Sequence, residues 1–522
     1  MKIDWLSIQA FKNLRDFSID FNEKKLNAIL IGENGAGKSN LFEAIAAIFR
    51  SLDLDEPVPF DYSIRYQLGA GPTLRHVHVK GSRSGGRGQL DIRVQRGRGT
   101  EERLTRSGFA RERDELLPAY VFAYYSGPGH RLQTLFEAHL EKWYRALLDS
   151  DDGRPERDLR RMFYCLPAHS RFVLLAYFIQ GLEPRDKTFL KEHFGITALD
   201  SAMLTLREPE WSKAPDARFW GARGLVSTFL DQVWNAALAP LRLSVRHKAD
   251  FRKQARRECR VHLYLPSVES LRSVAKGWDS RLAMFSALES VFANDLLCDV
   301  RLWVRSGSDV IPFTELSEGE QQLLTVVGLL RFTGTADTLF LLDEPDTHLN
   351  PKWKLRYLQL LEQQVEATET CQILLSTHDP LTIADLERSQ VHIFARDGTG
   401  TVHAATPSED PRGLGVGGIL TELFGLPTTL DDTTQRTLDR RDELAGKEKL
   451  SAKESAELQK LNDALQSQGF PDERRDPLEQ RFLTEWRKLR AKGEKPLSEM
   501  ATNRQRRLVQ DILKRLIAEQ ST

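Results

Sequence analysis

The chain opens with alternation. Residues 3–11 and 17–21 place apolar side chains at every second position around a turn at Lys12-Asn13, the pattern of two half-buried strands. Ala28-Ile29-Leu30-Ile31 is apolar without a break, as a strand covered on both faces is, and it runs through glycines into a helical stretch at 40–49. Alternation returns at 63–67, 76–79 and 90–95, separated by turns such as Gly81-Ser82-Arg83-Ser84-Gly85-Gly86, and predicts an antiparallel subsheet. From about 132 to 291 the period becomes helical, with Leu135, His139, Leu140, Trp143 and Leu147, then Leu225, Phe229, Val233 and Trp234. Prolines at 155, 167, 184, 209, 215 and 240 interrupt this stretch, and no heptad persists, so it predicts a compact helical insertion and not coiled-coil arms.

Further strands are predicted at 120–125, 338–342 and 373–375, with a last hairpin at 391–395 and 401–404. Residues 430–466 are charged with leucines at helical spacing, and Ser451 with Glu454 forms a capping box, which predicts a helical hairpin. After a Pro-flanked linker at 471–477 come two amphipathic stretches, 478–489 and 505–517. In the first, Leu478, Phe482, Leu483 and Trp486 form an apolar stripe that suits either packing on the core or docking of a partner.

The chemistry starts between the first buried strand and its helix. Gly32-Glu33-Asn34-Gly35-Ala36-Gly37-Lys38-Ser39 has the G-x-x-x-x-G-K-S spacing in the strand–turn–helix setting of a phosphate cradle. Gly32, Asn34, Gly35 and Gly37 would let the backbone wrap an anion at a helix N-terminus, Lys38 would reach the β- and γ-phosphates of ATP, and Ser39 would hold Mg²⁺. The strand 338–342 runs into Asp343-Glu344-Pro345, where Asp343 would meet the metal and Glu344 would polarise an attacking water.

Glu315-Leu316-Ser317-Glu318-Gly319-Glu320-Gln321, about two dozen residues before that strand, resembles the signature of soluble ABC-type ATPases. The resemblance implies that Ser317 and Gly319 contact nucleotide held by a second protomer, so that ATP joins two copies head to tail. Asp346-Thr347-His348-Leu349-Asn350-Pro351 resembles the D-loop that crosses to the partner, and His378 stands where the family places its γ-phosphate-sensing switch histidine. Arg15 matches a basic residue near the nucleotide in RecF-like and SMC-like ATPases, although a solvated turn arginine reads the same way. One element departs from the pattern. After the strand 120–125 the family has a metal-binding glutamine, whereas this chain has Ser126-Gly127-Pro128, leaving Ser126, a water, Gln67, Gln89 or Gln133 as the third ligand.

The reading is therefore an α/β chain: an ABC-type P-loop ATPase head with an antiparallel subsheet, a compact helical insertion and a helical C-terminal region. Its expected divisions are 1–131 and 299–405 for the two lobes of the head, 132–298 for the insertion and 406–522 for the tail. At 522 residues and 40% apolar content there is enough chain for several cores. Lys and Arg number 74 and so do Asp and Glu, so attraction to nucleic acid must come from local patches. The densest is Arg246-His247-Lys248 with Arg252-Lys253-Gln254-Ala255-Arg256-Arg257, either a solvated loop or helix face or a contact with nucleic acid phosphates or an acidic partner surface; the arginines at 93, 96, 98, 103 and 106 pose the same choice. Cys165, Cys259, Cys298 and Cys371 lack C-x-x-C spacing, which favours a reducing cytoplasm and no structural zinc. The N-terminus lacks a signal-peptide pattern, and the apolar run 172–179, read as a short strand, is too short to span a bilayer.

The whole resembles the ATPase subunit of Septu-type and retron-associated anti-phage systems, which implies an ATP-hydrolysing homodimer or higher oligomer that controls a separate HNH nuclease subunit. The alternative is a RecF-like DNA repair ATPase without a nuclease partner. A fusion to an RNase acting on tRNA is weakened by the absence of any histidine after His403.

Overall fold

Strict alternation folds as expected into a six-stranded antiparallel sheet. Its order is Leu14–Asp20, Lys2–Phe11, Tyr62–Leu68, Arg75–Ser82, Gln89–Arg96, Glu102–Leu104. In Tyr62–Leu68 the residues Tyr62, Ile64, Tyr66 and Leu68 are buried while Ser63, Arg65 and Gln67 turn outward, so one face packs and the other meets solvent. The computed structural model describes residues 1–149, 159–179, 181–212, 214, 217–247, 252, 254, 256–334, 337–447, 450–468, 510 and 514. They form two units, 1–28 with 37–377, and 29–36 with 378–522.

In the first unit the continuously apolar runs pair in parallel, in the order Met162–Tyr164, Tyr120–Tyr125, Thr338–Asp343, Gln372–Ser376. Every residue of Thr338–Asp343 is buried, which is why its sequence shows no alternation. Asp343 ends this strand, at the edge where parallel sheets place their ligands.

The insertion is helical where its period is helical. His139, Trp143 and Leu147 are buried on the helix Glu137–Asp149, and Leu225, Phe229 and Val233 on Gly224–Ala236. It also carries a five-stranded antiparallel sheet, ordered Leu241–His247, Arg256–Leu265, Ile196–Arg207, Leu297–Ser306, Asp309–Pro312. Of the basic run, Arg246 and His247 end one edge strand and Arg256 and Arg257 begin its neighbour, with Arg246 opposite Arg257, while residues 248–251, 253 and 255 lie outside the described residues. The apolar run read as a strand is a helix, His169–Ile179, whose residues 172–179 are all buried. A helix buried on every side has no polar stripe to reveal its period. The helix Glu318–Thr333 packs on it so closely that a Cβ at Gly328 would collide with Val173.

In the second unit Ile29 to Gly32 pair in parallel with Val391–Arg396, which turns back antiparallel into Val402–Ala405. The helices Gly415–Glu422, Asp432–Ala445 and Ala452–Ser467 follow. The last two form the expected hairpin: Asp431 and Ser451 cap their N-termini, Leu444 and Leu465 are buried, and Arg440 meets Glu457 at 2.8 Å. The stripe of Leu478, Phe482, Leu483 and Trp486 lies outside the described residues. Among the described residues no helix is long and apolar enough to cross a membrane.

Candidate nucleotide site

The helix Lys38–Asp53 begins at Gly37, whose φ of 103° is open to glycine and costly for other residues. A Cβ there would also lie 3.0 Å from Leu14 and 3.2 Å from Asn13. Asn13 in turn accepts a hydrogen bond from Asn40 at 2.6 Å, so the first turn of the chain presses directly on the loop. No side chain among the described residues caps this helix, and a helix start of this kind, whose first N–H groups have no intrahelical acceptor, is where anions bind. Gly32, Asn34 and Gly35 belong to the second unit, where Gly32 pairs with Phe394 and the Arg396 guanidinium donates to the Gly35 carbonyl. Nothing in the sequence singles out Arg396.

Lys38 is 5% exposed. Burial lowers its pKa to about 8 against the opposing pull of Glu344 and Asp343, so a cation is being held where solvent no longer supports it. Asp343 is buried too, and burial raises its carboxyl despite hydrogen bonds from Ser376 and Ser39. The structure therefore joins Lys38, Ser39 and Asp343, and places Glu344 within their field. Glu344 adopts φ 51°, a left-handed conformation that a non-glycine residue reaches only under constraint. Its N–H donates to the Ser376 carbonyl at 3.1 Å, which fixes that turn against the neighbouring strand end.

Of the candidates for the missing glutamine, Ser126 is the one placed beside Asp343. Its N–H donates to the Asp343 carbonyl at 3.3 Å, and its hydroxyl lies 3.2 Å from that of Thr347. Gln133 contacts His130, while Gln67 and Gln89 lie on strands of the six-stranded sheet.

Ser317 is the exposed N-cap of Glu318–Thr333 and forms a capping box with Glu320. Gly319 is buried, and a Cβ on it would collide with the His348 carbonyl oxygen, so only glycine lets the signature helix touch the turn after Asp343. Gln322 reinforces that contact by donating to the Pro345 carbonyl at 2.7 Å. Asp346 does not face outward. It is 2% exposed and accepts from the Thr377 hydroxyl at 2.6 Å, anchoring the turn internally. Arg15 is exposed on Leu14–Asp20, opposite Ala10. His378 is exposed and belongs to the second unit.

At its far end the helix Lys38–Asp53 is tied down by a buried cluster that sequence reasoning did not find. Asp53 meets His139 at 2.8 Å and Arg161 at 2.9 Å. Burial would raise the Asp53 carboxyl, but the hydrogen bond from His139 and the charge of Arg161 outweigh it and bring the pKa to about 2. The adjacent Arg160 pairs instead with Glu289 at 2.9 Å, and Glu289 lies 2.9 Å from His169, all three buried within the insertion.

An AAA ATPase domain model matches residues 1–69, and the AAA domain model described for AbiEii toxin, type IV TA system, matches residues 144–384. The Septu protein PtuA of Bacillus mycoides (strain KBAB4) is 23% identical over 192 residues, covering 34% of this chain and 26% of that protein. The Retron Vc95 probable ATPase of Vibrio cholerae serotype O1 biovar El Tor is 31% identical over 102 residues, covering 17% of this chain and 19% of that protein. The matched stretches thus span about a quarter and a fifth of these relatives. The SMC head domain from Thermotoga maritima overlaps 78% of this chain and 99% of its own at 12% identity, with a TM-score of 0.32. In sequence the chain is thus similar to AAA ATPase domains and, over part of its length, to a Septu protein and a retron ATPase.

Proposed function

We propose that the chain binds ATP with Mg²⁺, associates with a second copy around it, hydrolyses it slowly, and serves as the ATPase subunit of an anti-phage defence complex that controls a separate nuclease of HNH type. The observation that carries the ATP reading is Lys38, a buried cation whose charge burial opposes, beside Ser39, Asp343 and Glu344 at the start of an uncapped helix. Such a lysine gains most from a polyanion brought to it.

Each residue then has a task. The loop N–H groups and Lys38 bind the phosphates; Ser39, Asp343 and Ser126 are suited to hold Mg²⁺, which when bound neutralises charge on the phosphates. Glu344 accepts a proton from, or orients, the attacking water, and its constrained backbone keeps the carboxylate in place. Ser317 and Gly319 present the start of the signature helix to nucleotide on a second copy, and His378 senses the terminal phosphate. Arg15 is solvent-facing and is a weaker candidate for contact with the nucleotide. The defence role rests on the two curated relatives, and the nuclease partner on the resemblance stated above.

Phosphate release by wild type and by Glu344→Gln tests the enzyme. Co-purification with the product of a neighbouring HNH gene tests the partner. Turnover without capture of any nuclease would favour the RecF-like reading, in which the ATPase works on DNA alone.

A further inference from the structure

Among the described residues, the five-stranded sheet of the insertion packs only one of its faces. Leu204, Leu206, Val261, Leu263, Val300 and Leu302 are buried on the inner side. On the other side, cross-strand rows set by the register bring together Tyr264, Met203 and Arg301, then Ser201 and Trp303, with Leu243, Arg260 and Arg207 in a parallel row. This outer face is apolar where solvated sheets are normally polar. Leu241 is 51% exposed, Leu243 41% and Tyr264 37%. The rings of Tyr264 and Trp303 meet edge to face across the intervening strand, with centroids 6.4 Å apart and planes at 80°.

Around the aromatics the charge is basic but locally balanced. Arg260 meets Glu258 at 2.8 Å, Arg301 meets Asp299 at 2.8 Å and Arg305 meets Asp200 at 2.6 Å. The side chains of Arg301 and Arg305 are still 60% and 55% exposed, and a guanidinium engaged by one carboxylate retains further N–H donors. Exposed ion pairs of this kind are weak and yield to a better anion. His262, in the middle of the face, is held below its usual pKa by burial and by the charges of Arg260 and Arg301, which reports the local positive field.

An exposed ring at Tyr264, a half-buried one at Trp303 and flanking arginines on an open sheet suit a strand whose bases are available to stack; a duplex hides its base faces.

We propose that this face binds single-stranded nucleic acid, with bases stacking on Tyr264 and Trp303 and phosphates meeting Arg260, Arg301 and Arg305. The surface is separate from the nucleotide site and does not depend on ATP hydrolysis.

Fluorescence anisotropy of the full chain with short labelled DNA and RNA single strands, and with the matching duplexes, tests this. Single strands should bind more tightly than duplexes, and a difference between DNA and RNA identifies the natural source. Tyr264→Leu and Trp303→Leu, which keep apolar volume, should each weaken binding about 5- to 100-fold, whereas Tyr264→Phe retains it. Arg301→Gln with Arg305→Gln should flatten the dependence on salt. Binding of a fluorescent ATP analogue serves as the check of folding for every variant, and the arginine pair keeps the test valid should Trp303→Leu fail it. Equal or tighter binding of duplexes, no binding of single strands by wild type, or unchanged affinity in folded leucine variants would overturn the proposal. So would leucine variants that alter only the self-association of the chain, which would assign the face to a second copy.

Discussion

Replacing Lys38 by methionine should stabilise the nucleotide-free protein while abolishing its response to ATP. The ammonium is 5% exposed and its pKa falls from 10.5 to about 8. At about 1.4 kcal/mol per unit, keeping the charge at neutral pH costs the folded state about 3 kcal/mol. The folded chain binds this proton less tightly than the unfolded chain, so stability rises with pH between about 8 and 10.5, and the whole cost is present below 8. Methionine removes it, less whatever Asp343 and Glu344 lose with their counter-charge; Asp343, already raised by burial, can take up a proton instead. The net expectation is a gain of about 1–3 kcal/mol at pH 7 that disappears above pH 10. With Mg²⁺ and ATP at 100 times the dissociation constant, wild type should gain about 2.7 kcal/mol and the variant almost nothing, so the order of stability narrows or reverses. Unfolding followed by fluorescence, with and without nucleotide at pH 7 and pH 10, reads all of these quantities. A nucleotide-free variant less stable than wild type, or a difference independent of pH, would refute the reasoning.

Gly319→Ala should cost about 1–3 kcal/mol and loosen the turn after Asp343, because its Cβ meets the His348 carbonyl; unfolding midpoint and ATP turnover should fall together. Asp53→Asn should cost about 1–3 kcal/mol by removing the carboxylate that the buried Arg161 and His139 share, Arg161 keeping Asp114 at 2.6 Å. In wild type the depressed Asp53 pKa supplies stability that is present above about pH 4 and lost as pH falls towards 2, so acid unfolding of the variant should lose that segment of its pH dependence. Ser126→Ala should weaken ATP binding in Mg²⁺ and leave it unchanged in EDTA; equal Mg²⁺ dependence in both proteins would exclude Ser126 as a ligand.

What the sequence disclosed follows from which physical constraints are local. The phosphate loop was legible because a left-handed Gly37, a cation and a hydroxyl must follow one another at fixed spacing. Thr338–Asp343 was legible because burial on both faces removes alternation. The same uniformity misled at His169–Ile179, where eight consecutive buried residues carry no period to separate helix from strand. The insertion's sheet was missed because long strands such as Ile196–Arg207 mix Thr, Asp and Ser with apolar residues and include register shifts that break a strict period of two. The cluster of Asp53, His139 and Arg161 could not be read at all, since its members lie up to 108 positions apart and meet only through tertiary packing. Gln322 and Arg396 belong to the same class: each fixes a backbone carbonyl of the site, a role open to any long polar side chain.

The central claim is that ATP joins two copies of this chain and that Glu344 is the group that lets them part. The direct measurement is the solution mass of the Glu344→Gln variant without nucleotide, with ADP, and with ATP and Mg²⁺. The expected result is a mass that doubles, or rises to a higher even multiple, only with ATP and Mg²⁺, accompanied by loss of phosphate release and reversal when Lys38→Met is added. An unchanged mass together with wild-type turnover would contradict the account.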